Sequence, residues 1–287
     1  PPKATGGPLR GDRSRKAEPQ RRQEVKVIWS IATTTVGEAI RRRVLLVILL
    51  IGVLFLAIAP GLGVLSARQE VTVLKSMMLG IIQLTSAVIA VVLTVYMLPN
   101  EIERRTIYTI LSKPVQRWQF LIGKYLGAVL ALGLMMALMS IVLVVVFLIQ
   151  SQNLNLGEIG SIVKAPAFYF VQMSLLAAVG IFFSTFVSPL VNFFLTGGIY
   201  LVGSLFSTVF ETLAQNPNVP SAAKSAAMII NFLLPNFNYY NVQNPIINPG
   251  VVITNETWYY IQGAGYGLFY IGVLVVGGIL VFDRREV

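Results

Sequence analysis

Apolar residues in this chain fall into runs too long for strands and too continuous for the surface helices of a water-soluble core. Six runs stand out, at about 44–63, 79–98, 119–149, 166–187, 190–210 and 260–282. A helix needs about 20 apolar residues to cross a bilayer, so each run predicts a span. The third is long enough to tilt or to project beyond the hydrocarbon. Only SPL (188–190) separates the fourth from the fifth, which predicts a tight hairpin. The loop 211–259 contains a shorter apolar stretch, SAAKSAAMIINFLL (221–234), stopped by Pro235. Its length predicts a re-entrant or interfacial helix rather than a seventh span.

Two polar segments carry a pattern of their own. In 24–43, Val25, Ile28, Trp29, Ala32, Val36 and Ala39 recur at helical spacing, with Lys26, Ser30, Thr33, Gly37 and Arg41 opposite. This predicts an amphipathic helix in the membrane interface, anchored by Trp29. In 98–124, Asn100 is a good N-cap and Glu103 stands where a capping box needs it. Glu101 precedes Arg105 by four residues, the favourable order for a helical ion pair. Glu101, Arg104, Arg105, Tyr108 and Ser112 share a polar face, and Pro114 ends the helix. Orienting a membrane protein requires only loose basic residues, so a capped helix of paired charges points to docking on a soluble partner.

Composition supports the membrane class: 55% of the 287 residues are hydrophobic and 12% charged, about half the share of a soluble domain. Residues 1–23, rich in Pro, Gly, Arg and Lys, predict a disordered basic tail near anionic lipid. The net charge of +10 does not imply nucleic acid, because the basic residues cluster beside the apolar runs. With six spans, only Arg68, Lys75, Lys164 and Lys224 face one side, against the other 18 of the 22 Lys and Arg. That bias places both termini, and the stretch 99–118, in the cytoplasm.

The chain has neither Cys nor His, which removes thiol and imidazole chemistry and the common zinc sites. No carboxylate pair lies mid-span for acid–base work, so no catalytic, cofactor-binding or metal-binding residues are expected. Gly123-Lys124 precedes Tyr125 and lacks the pattern of a phosphate-binding loop. The polar residues Gln83, Thr85, Ser86 and Thr94 in span two, and Asn192, Thr196 and Ser204 in span five, suit helix–helix hydrogen bonds or a pathway lining. Gly123 with Gly127, and Gly263 with Gly267, have the spacing that lets membrane helices approach closely.

EIERRTIYTILSKPV (101–115), followed by Arg117 and the entrance at Phe120, Gly123 and Lys124, resembles the signature of type-2 ABC transporter permeases. The closest likeness is to the multicopper-enzyme and nitrous-oxide-reductase maturation subgroup. GEAIRRRVL (37–45), LLPNFNYYNV (233–242) and VFDRREV (281–287) agree, so the resemblance runs from about residue 31 to the end.

The resemblance implies an all-α, six-span integral membrane permease domain (44–287) with no ATP site of its own. Asn100, Glu101, Glu103, Arg104, Arg105, Thr106 and Ser112 would form the coupling helix. Segment 24–43, with Trp29, Glu38 and Arg41, would be the connecting helix. Spans two and five of two copies would line the path, Gln83, Thr85, Asn192 and Thr196 among them, with 221–234 capping it on the outer face. The implied partners are two copies of a cytoplasmic ABC ATPase carrying ATP and Mg, and a second permease, identical or paralogous. The implied setting is a bacterial or archaeal plasma membrane, and the implied role is export. The rival expectation is a non-transporting membrane scaffold for an ATPase-driven assembly or maturation complex.

Overall fold

The computed structural model describes residues 12–63, 70–98, 116–150, 156–206, 209, 212–213, 220–240 and 255–284. Its helices are α1 (Asp12–Arg41), α2 (Arg43–Gly63), α3 (Glu70–Val95), α4 (Arg117–Gln150), α5 (Leu156–Ser184), α6 (Pro189–Leu201), α7 (Ser221–Leu233) and α8 (Glu256–Arg284). A π-helical turn, Val202–Phe206, continues α6, and a 3-10 turn, Phe237–Tyr240, follows α7. Among the described residues there is no strand.

Six of these helices are long and apolar enough to cross a membrane: α2, α3, α4, α5, α6 with its π turn, and α8. The expected runs are all present, with altered edges. α3 starts before residue 79, because Lys75 is absorbed at its beginning, over the ring of Phe147 at 5.5 Å. α5 starts before residue 166 and runs through Pro166. Membrane helices tolerate such a proline where neighbours take up the freed backbone groups. α1 begins at Asp12, inside the segment expected as a basic tail. Arg, Lys, Glu and Gln there are good helix formers.

Two junctions are set by local chemistry. Arg42 alone separates α1 from α2, and its carbonyl accepts from the N–H groups of Leu45 and Leu46 at 3.1 and 3.2 Å. At the hairpin, Ser188 is extended (φ −68°, ψ 156°) and Pro189 opens α6. Proline's fixed φ suits that first position, where its missing N–H costs nothing.

α5 is the hub, packing on α3, α4, α6, α8 and the 3-10 turn, while α2 fits between α3 and α4. Side-chain registers fix the helix directions. Gln83 of α3 meets Gln172, and Thr94 meets Gly180, so α3 and α5 run the same way. Phe168 lies against Gly263 and Phe182 against Gly277, so α8 runs that way too. Phe170 lies against Gly133, and Tyr125 donates to the Ser174 carbonyl, so α4 is antiparallel to α5. The near end therefore collects the starts of α4 and α6 with the ends of α5 and α8. The far end collects the starts of α3, α5 and α8, the end of α4 and the 3-10 turn.

Candidate functional site

The near end is where α1 meets the bundle. α1 lies along α4, its longest contact. The two glycines of α4 make this approach possible. A Cβ on Gly123 would stand 2.8 Å from Ile31 Cβ and 3.1 Å from the Ile28 carbonyl oxygen. One on Gly127 would stand 2.5 Å from Thr35 Cβ and 2.8 Å from the Ala32 carbonyl oxygen. Close backbone contact of this kind maximises dispersion, the main adhesive force between helices in lipid.

Charge adds to the fit. Lys124 Nζ lies 3.6 Å from Glu38 Oε2, with the lysine side chain 4% exposed and the glutamate 48%. The Lys124 ammonium also sits 5.9 Å from the Phe120 ring centre. Of the three residues expected to mark the connecting helix, Glu38 thus engages the bundle, while Trp29 and Arg41 stay exposed.

The same end holds the last turn of α8. Arg117 donates to the carbonyls of Phe282 and Asp283 at 3.1 and 3.2 Å, and its guanidinium lies 6.0 Å from the Phe282 ring centre. A helix C-terminus leaves carbonyls unpaired and partly negative, and a guanidinium serves both needs. Gln116, next in the chain, accepts from the Trp118 indole N–H, and its own N–H donates to Gln119 at 3.2 Å. Asn100, Glu101, Glu103, Arg104, Arg105, Thr106 and Ser112 lie outside the described residues. Their described flanks are the buried Leu98, just beyond α3, and Gln116, just before α4.

Within the bundle, Gln83, Ser86, Thr94, Asn192 and Thr196, among the polar residues singled out in the spans, make hydrogen bonds inside the chain. Asn192 donates to the Gly180 carbonyl at 3.0 Å and accepts from Thr196 at 2.8 Å, and both side chains are fully buried. Gln83 donates to Gln172 at 3.2 Å. Thr85 occupies the space that a side chain on Gly52 would need. Gln172 was missed in the sequence, although a glutamine inside an apolar span must find partners or leave an amide unpaired. It accepts from Gln83 and donates to the Phe237 carbonyl at 3.4 Å, joining α3 and α5 to the 3-10 turn.

That turn plugs the far end. Tyr240 donates to the Gly263 carbonyl at 3.0 Å, and the Asn236 N–H donates to the Tyr266 hydroxyl at 2.9 Å. Phe237 and the Pro235 carbonyl fill the space left by Gly203 in the π turn of α6. Burial, and then the neighbouring Tyr266, push the Tyr240 phenol well above its ordinary range, so it stays a donor. No group of three His, Cys, Asp or Glu gathers among the described residues.

The pattern of the family described as ABC-2 family transporter protein matches residues 29–287. The chain belongs to that family. It is thus a multi-pass membrane permease of the type-2 ABC kind, whose members are transmembrane subunits that work with an ABC ATPase. The match begins at Trp29 and takes in the C-terminal part of α1, so Ile31, Thr35 and Glu38, which meet α4, lie within the family unit. No curated protein matches the chain.

Proposed function

We propose that this permease is the membrane half of an ATP-driven exporter, working as a pair with two cytoplasmic ATPase subunits that act on the helix 100–113. The observation that carries this reading is the construction of the near end. The segment 99–115 leaves α3 and enters α4, and the α4 it enters is fastened to α1 by Glu38 and two glycines and to α8 by Arg117. A push on the segment would be felt by three helices at once. The basic bias puts this end in the cytoplasm. ATP and Mg would belong to the partner, and the membrane would be a bacterial or archaeal plasma membrane.

α6 supports pairing with a second copy, identical or paralogous, since Leu190, Phe194, Leu201 and Leu205 all face outward. Helix α7 would cap the path at the outer face. The cargo would be hydrophobic or amphipathic, in keeping with apolar spans. The test is a tagged pull-down from native membranes in mild detergent. The expected result is an ATPase at about one copy per permease, lost in Glu103→Ala/Arg104→Ala. Recovery of the unaltered chain without an ATPase would overturn the reading.

One observation favours the non-transporting scaffold instead: Gln83, Asn192 and Thr196 all make hydrogen bonds within the protomer. Vesicles containing the purified complex decide between the two, because only an exporter accumulates solute on ATP addition.

A further inference from the structure

α6 is held to the bundle in a different manner from the other spans. Each of the others buries at least one large apolar side chain, such as Leu56 in α2, Leu79 in α3, Leu121 in α4, Leu175 in α5 and Phe282 in α8. α6 with its π turn buries none, and the residues it encloses are Asn192, Thr196 and Gly203. Spaced four and seven apart, they form one stripe of the helix. The far part of this stripe lies under Phe237 and the Pro235 carbonyl. Its near part is a hydrogen-bonded joint.

The joint is built on Gly180 of α5. The Asn192 amide donates to the Gly180 carbonyl at 3.0 Å, while Thr196 donates to the amide oxygen at 2.8 Å and so keeps the N–H turned to α5. α3 comes to the same glycine. A Cβ on Gly180 would stand 3.0 Å from Thr94 Cβ and 3.5 Å from Thr196 Cγ2. Three helices thus share one bare stretch of backbone. Thr94 is the penultimate residue of α3, and its carbonyl accepts from the Met97 N–H at 3.2 Å. It therefore lies at the root of the segment 99–115.

Resting on the exporter reading above, we propose that Asn192 is a positioning residue that passes movement of this segment to α6, through Thr94 and Gly180. Where Thr94 touches Gly180 there is no side chain on the glycine to rotate away, so a shift of the α3 end moves the α5 backbone itself. Asn192 is bonded to that backbone and takes α6 with it. No buried apolar side chain resists the movement, and a single hydrogen bond between membrane helices is weak enough to break and re-form. The middle of α6 is clear as well, since Gly197 and Gly198 have nothing within 4 Å of where a Cβ would stand. The outward Leu190, Phe194, Leu201 and Leu205 would then carry the movement to the second copy.

The test uses the full-length permease with its ATPase in nanodiscs. The chain has no cysteine, so Gln116→Cys and Leu190→Cys each take one bimane label before assembly. Gln116 adjoins the segment and Leu190 stands at the start of α6, and both are exposed. ATP with vanadate should shift the emission at both positions. Asn192→Leu should leave the shift at Gln116→Cys and shrink that at Leu190→Cys about threefold, the equilibrium value of one hydrogen bond between membrane helices. Thr94→Ala, which keeps every hydrogen bond of α6, should do the same. Gly133→Ala strains α4 against Phe170, away from the joint, and should leave both shifts intact. A shift at Gln116→Cys without one at Leu190→Cys, or the reverse, would overturn the proposal and leave the exporter reading standing. Full retention of the Leu190→Cys shift in Asn192→Leu or in Thr94→Ala would overturn it too, as would an equal loss in Gly133→Ala. No shift at either position would overturn the exporter reading, and the proposal with it.

Discussion

Gln83 Nε2 and Gln172 Oε1 meet at 3.2 Å between α3 and α5, and the other end of the Gln172 amide holds the carbonyl of Phe237. One buried side chain thus connects the helix that leads into the segment 99–115 with the turn that plugs the opposite end. Gln172→Leu should destabilise the protein by about 1–2 kcal/mol, because it strips both bonds at once. Gln83→Leu should cost less, about 0.6 kcal/mol, an average value for one hydrogen bond between membrane helices. The chain has no cysteine, so a single Asn238→Cys reports on the plug directly. Its labelling by a maleimide should quicken several-fold in Gln172→Leu, and an unchanged rate would detach the plug from α3.

The Glu38–Lys124 pair is lopsided, the cation buried and the anion half in solvent. Removing the anion leaves a buried ammonium facing a neutral group, whereas removing the cation also removes its desolvation cost. Glu38→Gln should therefore cost about 1–2 kcal/mol and Lys124→Met less, whereas equivalent partners would give equal losses. Thermal unfolding in detergent reads the order.

Glycine contacts give a contrast between two alanine substitutions. Gly127→Ala would press Cβ onto the α1 backbone at the Ala32 carbonyl, which cannot rotate away, and should cost about 1–3 kcal/mol. Gly198→Ala on α6 meets nothing within 4 Å and should raise helix stability by up to about 1 kcal/mol. Melting curves of the two variants should shift in opposite directions. A loss in Gly198→Ala confined to the assembled complex would place the second copy on that face.

Alkaline pH should loosen the plug through Tyr240. Its phenol is held neutral by burial, with a folded pKa above the ordinary 10.0. Stability from the neutral form is complete below that ordinary value and is lost as pH rises through the folded one. Melting temperature should accordingly hold steady up to about pH 10 and fall above it. Tyr240→Phe, which cannot ionise, should show a shallower fall.

Hydropathy alone was enough to place six spans, because a bilayer demands apolar length and leaves few alternatives. The glycine pairs were legible too, and the structure shows what they face: α1 for Gly123 and Gly127, Phe168 and Tyr240 for Gly263 and Gly267. Partner choice was not legible. Nothing in the order of residues tells Glu38 that its cation is Lys124, or Arg117 that it will cap α8, since both meetings depend on how helices distant in sequence pack. Gln172 escaped notice for a related reason, its partners being 89 and 65 residues away. The π turn at Val202–Phe206 has no local signal beyond Gly203, whose role appears only once Phe237 is beside it.

The central place of α5 has a consequence for biogenesis. It is the most enclosed of the spans and, with α6, one of the two least apolar. Its amide, hydroxyl and proline suit a protein interior better than bare lipid, so α5 is a poor substrate for membrane insertion by itself. The helices that shelter it on one side, α3 and α4, emerge from the ribosome first, and α8 emerges last. A nascent chain halted before α8 would hold α5 in a half-built shelter, exposed to quality-control proteases until the C-terminal helix arrives.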